Sequence, residues 1–227
     1  ISDRTKLIFL SNPNNPTGRI LQPEELQSIV EMARRVGAWV LVDEVYAGLE
    51  WTGTRGHSIA GLYERGITTG SVSKALGLQG LRTGWLICRD QGLMRDALIL
   101  RENSSEIMNI MGEVIAEIAL RLARLERALE QARQAGRANL DLLDRFVSHT
   151  AGLSWIRPEA GLIGLARLRD GIDGDAFAER LLAEPYRTFV LPGSSYHCPH
   201  HIRLGVGGPT DKLEEGLARV SRLLSDW

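Results

Sequence analysis

Two short apolar runs separated by one amphipathic helical pattern constrain this chain more than any other feature. "KLIFLS" (6–11) is a short apolar run closed by Asn and Pro, and "AWVLVDEVY" (38–46) is a second that ends in acids. Neither alternates apolar with polar, as a half-exposed strand would, so both read as strands buried on two faces. Between them "PEELQSIVEMARRVG" places Leu26, Ile29, Val30, Ala33 and Val36 on one helical face. Pro23 suits the first turn, Glu24 and Glu25 the positive helix end, and Gly37 the stop. "GITTGSVSK" then predicts a third strand and "RTGWLICR" a fourth. Strands alternating with helices predict an α/β fold, with a mostly parallel sheet covered on both faces.

The rhythm changes after about Gly112. Up to Val147 the sequence is nearly all helix former, which predicts one long helix with Gly136 as a kink or break. Beyond it, "LSWI", "GLIGLARL", "TFVL" and "HIRLGV" are short strands, with helices near 173–184 and 210–225. That pattern is a small α+β domain. The expected organisation is therefore residues 1–122 as an α/β domain and 123–227 as a smaller C-terminal domain entered by the long helix.

Charge excludes several partners. A formal net charge of −1 with no strongly basic half gives no footprint for nucleic acid or an anionic membrane. No apolar run reaches membrane-spanning length. Cys88 and Cys198 are too few for a disulfide framework, which fits a reducing cytoplasm.

Positive charge is written almost wholly as arginine. There are twenty-four, against three lysines, Lys6, Lys74 and Lys212. Arg stays protonated at any accessible pH, whereas a Lys amine can lose its proton and act as a nucleophile. Lys74 lies in "SVSK" (71–74), directly after the third predicted strand. "NPNNPTG" (12–18) follows the first strand and "DEVY" (43–46) closes the second. Carboxyl ends of parallel strands are where such folds place active sites. Alone, each segment has a plain explanation as a turn, a cap or a solvated loop.

Together they fit one chemistry. A lysine amine forms a Schiff base with an aldehyde cofactor, and pyridoxal 5'-phosphate needs such a lysine with an acid beside its pyridine nitrogen. Asp43, emerging from an apolar strand, is the candidate acid. Tyr46 and Asn15 are candidate partners for the ring oxygen. Ser71, Ser73 and Arg82 offer two hydroxyls and a fork of N–H donors for the phosphate.

These segments resemble the class I/II aminotransferase family, the pyridoxal-phosphate enzymes of the aspartate aminotransferase fold. That family carries an N-P-T-G turn, a D-x-x-Y strand end, an S-x-S-K segment and an R-x-G. The corresponding residues here are Asn15 to Gly18, Asp43 with Tyr46, Ser71 with Ser73 and Lys74, and Arg82 to Gly84. The order matches, as do the twenty-eight residues from Asn15 to Asp43 and the eight from Lys74 to Arg82. "VLPGSSY" (190–196) is similar to the family's V-x-P-G-x-x-F, with Tyr196 at the aromatic position. "HIRLGVG" (201–207) is similar to a strand whose arginine grips the substrate α-carboxylate, which assigns that role to Arg203.

The resemblance implies transamination between an α-amino acid and a 2-oxo acid, a homodimer with sites near the interface, and a place in amino acid metabolism. It assigns Lys74, Asp43 and Tyr46 to catalysis, and Asn15 to both cofactor and substrate. It covers only the C-terminal part of the family. The N-terminal part, with its phosphate cup and ring-stacking group, is then supplied by a separate chain, or the sequence is a truncated product. A lyase, decarboxylase or cyclising synthase would use the same residues. A non-catalytic effector-sensing domain or an inactive fragment is the reading from another class. "RENSSEIMNIMGE" (101–113) resembles a segment that lines the family's site, where Ser104, Ser105 and Asn109 read either as site residues or as a Ser-capped helix start. His197, Cys198, His200 and His201 crowd one short loop stiffened by Pro199. Adjacent ligands rarely reach a common tetrahedral point, so no metal is expected there.

Overall fold

The computed structural model describes residues 1–53, 56–105 and 108–227. It divides into two compact units: residues 1–14 with 19–132, and residues 15–18 with 133–227.

The first unit is built on a four-stranded sheet of order β1-β2-β3-β4, formed by Leu7–Ser11, Trp39–Asp43, Gly66–Ser71 and Gly84–Cys88. β1, β2 and β3 are parallel, while β4 runs antiparallel to β3. α1 (Pro23–Val36) connects β1 to β2 with the predicted punctuation: Pro23 at its start, Glu24 and Glu25 in the first turn, Arg34 and Arg35 in the last. The Glu25 carboxylate accepts from the Gln22 backbone N–H at 2.9 Å, satisfying one of the donors left open at a helix start. Gly37 ends the helix at φ 68°, and the following Ala38 N–H returns to the Ala33 carbonyl at 2.9 Å.

Leu26, Val30 and Ala33 of α1 are buried against Val40 and Val42 of β2, together with Ile59 and Tyr63. Burial of each large side chain stabilises by roughly 1.5–3 kcal/mol. Ile29 and Val36 pack at the edge of this cluster, as the periodicity predicts. Ile8 and Leu10 of β1 face it as well, but Leu7 and Phe9 on the opposite face of the strand are 50% and 65% exposed. The expectation that both sheet faces are covered therefore fails at β1 among the described residues.

Two helical expectations are also corrected. The long C-terminal helix is broken at Arg121, whose ψ of 127° leaves the helical range, giving α4 (Ile110–Leu120) and α5 (Leu122–His149). Gly136 lies buried inside α5 without interrupting it. Residues 91–104 form a helix, α3 (Gln91–Ser104), capped at its start by the Asp90 carboxylate accepting from the Leu93 N–H at 2.8 Å. Ser104 thus ends a helix instead of starting one, and the Asn109 side chain, accepting from the Gly112 N–H, caps α4. A single-turn helix, α2 (Ile59–Leu62), precedes β3.

The second unit is an antiparallel sheet of order β5-β6-β8-β7, from Leu153–Trp155, Ile163–Leu168, His201–Gly205 and Leu191–Pro192. The strand expected at "TFVL" (188–191) starts only at its last residue, as Leu191–Pro192. α6 (Gly174–Leu182), α7 (Thr210–Ser225) and the later turns of α5 bury Phe177, Leu181, Leu140, Leu143, Leu217 and Leu223 in this unit.

A buried polar side chain ties α5 to the segment between β8 and α7. Asn139 of α5 is 3% exposed. Its amide donates to the Val206 and Gly208 carbonyls, both at 2.8 Å, and its oxygen accepts from the Thr210 hydroxyl at 2.8 Å. Replacing it with Ala leaves the buried Val206 carbonyl without a partner, while Gly208 and Thr210 are exposed to water, so Asn139→Ala is expected to lower stability by about 1–3 kcal/mol. Urea unfolding measures this; a loss within about 0.5 kcal/mol, the range of ordinary surface changes, would mean that the contacts are dispensable.

Candidate active site

Parallel pairing aligns the strand ends. Ser11 is in register with Asp43, and Asp43 with Thr69. The Asn12 N–H donates to the Asp43 carbonyl at 3.0 Å, and the Glu44 N–H to the Thr69 carbonyl at 2.8 Å. These bonds bring Asp43 and the segment after β3 to one edge of the sheet in the first unit.

The two acids that close β2 have different surroundings. One Asp43 oxygen accepts from the Val45 N–H at 3.1 Å, while its second oxygen has no hydrogen-bond partner among the described residues. Glu44 turns to structure instead. Its Oε1 accepts from the Ile59 N–H and the Thr68 hydroxyl, both at 3.1 Å, tying the start of α2 to β3. Sequence reading had no signal to separate the neighbours. Tyr46 is 6% exposed, packed into the interior of this unit.

Lys74 sits on a closed loop. The Val72 N–H donates to the Thr83 carbonyl at 3.3 Å and the Leu78 N–H to the Val72 carbonyl at 3.1 Å. Val72 and Ala75 are buried and anchor the loop on either side of the lysine. Lys74 itself is exposed, and among the described residues its amine has no hydrogen-bond or ion-pair partner. The Ser71 hydroxyl accepts from the Ser73 N–H at 3.2 Å, which leaves its own proton available to an anion. Arg82 adopts a left-handed backbone at φ 53°, uncommon for a residue with a side chain. Among the described residues its side chain makes one hydrogen bond, to the Gln79 carbonyl at 3.3 Å. Close approach of β4 sets the spacing here: a Cβ on Gly84 would lie 2.8 Å from the Gly70 carbonyl oxygen, so the third position of the R-x-G must be glycine.

This donor set suits pyridoxal phosphate: among the described residues, an amine without a partner, a carboxylate with one unoccupied oxygen, two hydroxyls and a guanidinium.

The second unit holds a separate constellation. Residues 15–18 belong to it because the Gly18 carbonyl accepts from the Glu159 and Ala160 N–H groups at 3.0 and 2.9 Å. Gly18 has φ 68°, and a Cβ there would meet the Pro158 side chain at 2.6 Å. Arg203, half-buried on β8, donates from Nη1 to the Asn15 Oδ1 at 3.0 Å and to the Tyr196 hydroxyl at 2.6 Å. Asn15 and Arg203 are 188 residues apart in sequence.

Of the histidine-rich loop, His197 and His200 are exposed, and His201 lies on β8 with a buried Nδ1 that has no partner among the described residues. Burial, then the Arg167 charge, push the His201 pKa below the ordinary histidine value. Among the described residues no cluster of His, Cys, Asp and Glu is arranged to hold a metal ion. None of their helices is long and apolar enough to cross a membrane.

A mostly parallel sheet in one unit and an antiparallel sheet in the other form the architecture of the pyridoxal-phosphate transferase class of fold. The chain belongs to the aminotransferase class I and II family, whose model matches residues 1–220. It is 26% identical to aromatic-amino-acid aminotransferase 2 of Thermococcus litoralis across 100% of this chain and 59% of that protein. It is 29% identical to aspartate aminotransferase of Musicola paradisiaca, across 100% of this chain and 58% of that one. A PLP-dependent aminotransferase from Streptococcus suis 89-1591 has the same fold, with a TM-score of 0.91 at 30% identity, over 100% of this chain and 59% of that structure. The chain thus spans less than two thirds of the length of the proteins it resembles.

Proposed function

We propose that the protein performs pyridoxal-phosphate-dependent transamination of an α-amino acid with a 2-oxo acid. The observation that carries this reading is the exposed Lys74 amine, without a partner among the described residues, on the loop after β3 and on the same sheet edge as Asp43. Lys74 would hold the cofactor by its amine, Ser71, Ser73 and Arg82 its phosphate, and Asp43 its ring nitrogen, with Tyr46 and the Asn15 amide at the ring oxygen. When bound, the cofactor supplies an electron sink that accepts the electron pair left when the substrate Cα loses its proton.

The chain's own residues do the rest. Arg203 binds the substrate carboxylate through parallel N–H donors, which fixes the orientation of the Cα–H bond. Lys74, once its amine is free, would take the Cα proton as general base and, as general acid, deliver it to the cofactor carbon that carries the amine in the product. The Asp43 carboxylate holds a proton on the neighbouring nitrogen by ion pairing. Asn15 has its Oδ1 committed to Arg203 and keeps its amide N–H groups for donation.

Lyase, decarboxylase and cyclase chemistry would use the same residues, since the choice among bonds at Cα is one of orientation. A half-reaction screen of single amino acids, with mass analysis of the products, distinguishes them. The expected product is a 2-oxo acid with the cofactor left as its amine. A product that has lost carbon dioxide or closed a ring would overturn transamination.

A further inference from the structure

The way Arg203 is held restricts how it can grip a carboxylate. A guanidinium has five N–H donors, two on each Nη and one on Nε. It offers a carboxylate two bidentate edges: an end-on edge made by Nη1 with Nη2, and a side-on edge made by Nε with Nη2. Here both Nη1 protons have acceptors, the Asn15 Oδ1 at 3.0 Å and the Tyr196 hydroxyl at 2.6 Å. Nε and Nη2 have no partner among the described residues. The end-on edge is closed and the side-on edge is open.

Tyr196 is itself rigidly placed. It ends a 3₁₀ turn, Gly193–Tyr196, that follows β7, and β7 pairs with β8 so that Leu191 lies opposite Arg203. The turn is closed by the Cys198 N–H donating to the Gly193 carbonyl at 2.9 Å. It is tethered to α6 by the Ser194 hydroxyl donating to the Asp175 carboxylate at 2.7 Å. A Cβ at Gly193 would sit 2.2 Å from the Cys198 carbonyl oxygen, so the turn has no slack. The Arg203 Cζ lies 5.7 Å from the Tyr196 ring centroid, near the outer limit for attraction between a cation and a ring. The hydroxyl is therefore the principal contact, and phenylalanine could not supply it.

We infer that Tyr196 is a positioning residue: with Asn15 it occupies Nη1 of Arg203 and presents the Nε–Nη2 edge to the substrate carboxylate. This rests on the proposal that Arg203 binds that carboxylate. Removing the hydroxyl frees one Nη1 proton, lets the guanidinium rotate, and weakens carboxylate binding without touching the groups that move the proton.

The test uses the full chain with its cofactor and propanoate, a carboxylate without an amino group, titrated by NMR line broadening. Tyr196→Phe is expected to raise the dissociation constant about tenfold, the effect of losing one hydrogen bond to a charged group that is partly solvated. Tyr196→Gln, which restores an acceptor without the ring, is expected to recover most of that loss. In the Arg203→Lys background Tyr196→Phe should change binding by less than about twofold, since the partner it acts through is gone. With an amino acid substrate the loss should appear in KM, kcat staying within about threefold. Unchanged propanoate binding in Tyr196→Phe, with weakened binding in Arg203→Lys, removes the role of Tyr196 and keeps that of Arg203. An equal effect of Tyr196→Phe in both backgrounds also overturns the inference, because Tyr196 would then act elsewhere. Unchanged binding in Arg203→Lys overturns the carboxylate reading itself.

Discussion

Lys74→Ala should lower turnover by about 10⁴-fold or more, because under the proposed function one amine would serve as covalent anchor, general base and general acid. The loss is expected without unfolding. The Lys74 side chain is exposed and unpartnered among the described residues, and the loop is held by Val72, Ala75 and backbone bonds. Thermal stability of the variant without cofactor should therefore stay within about 0.5 kcal/mol of the parent. Lys74→Arg should be as inactive as Lys74→Ala, since a guanidinium keeps the charge but cannot release its proton. Borohydride reduction followed by mass measurement gives a second readout. The parent protein should gain the mass of one reduced cofactor on the peptide containing Lys74, and neither variant should. Turnover above about one per cent of the parent in Lys74→Ala would sink the assignment, since general acid–base loss alone predicts at least that deficit.

Asp43→Asn is the second large effect, expected at about 10³-fold in kcat/KM. The substitution preserves shape, and the amide oxygen still accepts from the Val45 N–H, so the strand end should be unaltered. What disappears is the negative charge. Under the proposed function that charge would keep the cofactor's ring nitrogen protonated, so the deficit should be largest at high pH and shrink as pH falls. Asp43→Glu keeps the charge but displaces it by one methylene, and should recover part of the rate. Glu44→Gln is the informative contrast. Glu44 accepts bonds from Ile59 and Thr68, so its loss should appear in stability and not in the pH profile of turnover. A pH-independent deficit in Asp43→Asn would remove the charge from the mechanism.

Much of the first unit was legible because its signals are local. The apolar runs of β1 and β2, the Pro23 start, the paired acids and the Gly37 stop of α1 act within a few residues of one another. α3 was missed although Asp90 stands at its start, because its face carries no buried residue and so no strong apolar period. The break at Arg121 was equally hidden. Gly136 looked the better breaker by propensity, yet it is buried within α5, and tertiary packing overrides a cost of about 1 kcal/mol. The antiparallel direction of β4 carries no sequence signal at all, since direction depends on the path of the loop from Lys74 to Thr83.

The sequence by itself determined the kinds of element, their order, and the residue types at the strand ends: a scarce lysine, an acid closing an apolar run, hydroxyls and an arginine at family spacing. Those are properties of neighbours along the chain. Only the tertiary structure assigned Asn15 to Gly18 to the second unit, separated Asp43 from Glu44, and put Asn15 and Tyr196 on the same nitrogen of Arg203. Each of those depends on which oxygen meets which N–H across the fold. Hydrogen bonds act over about 3 Å in space whatever the separation along the chain, so periodicity and spacing carry no trace of them.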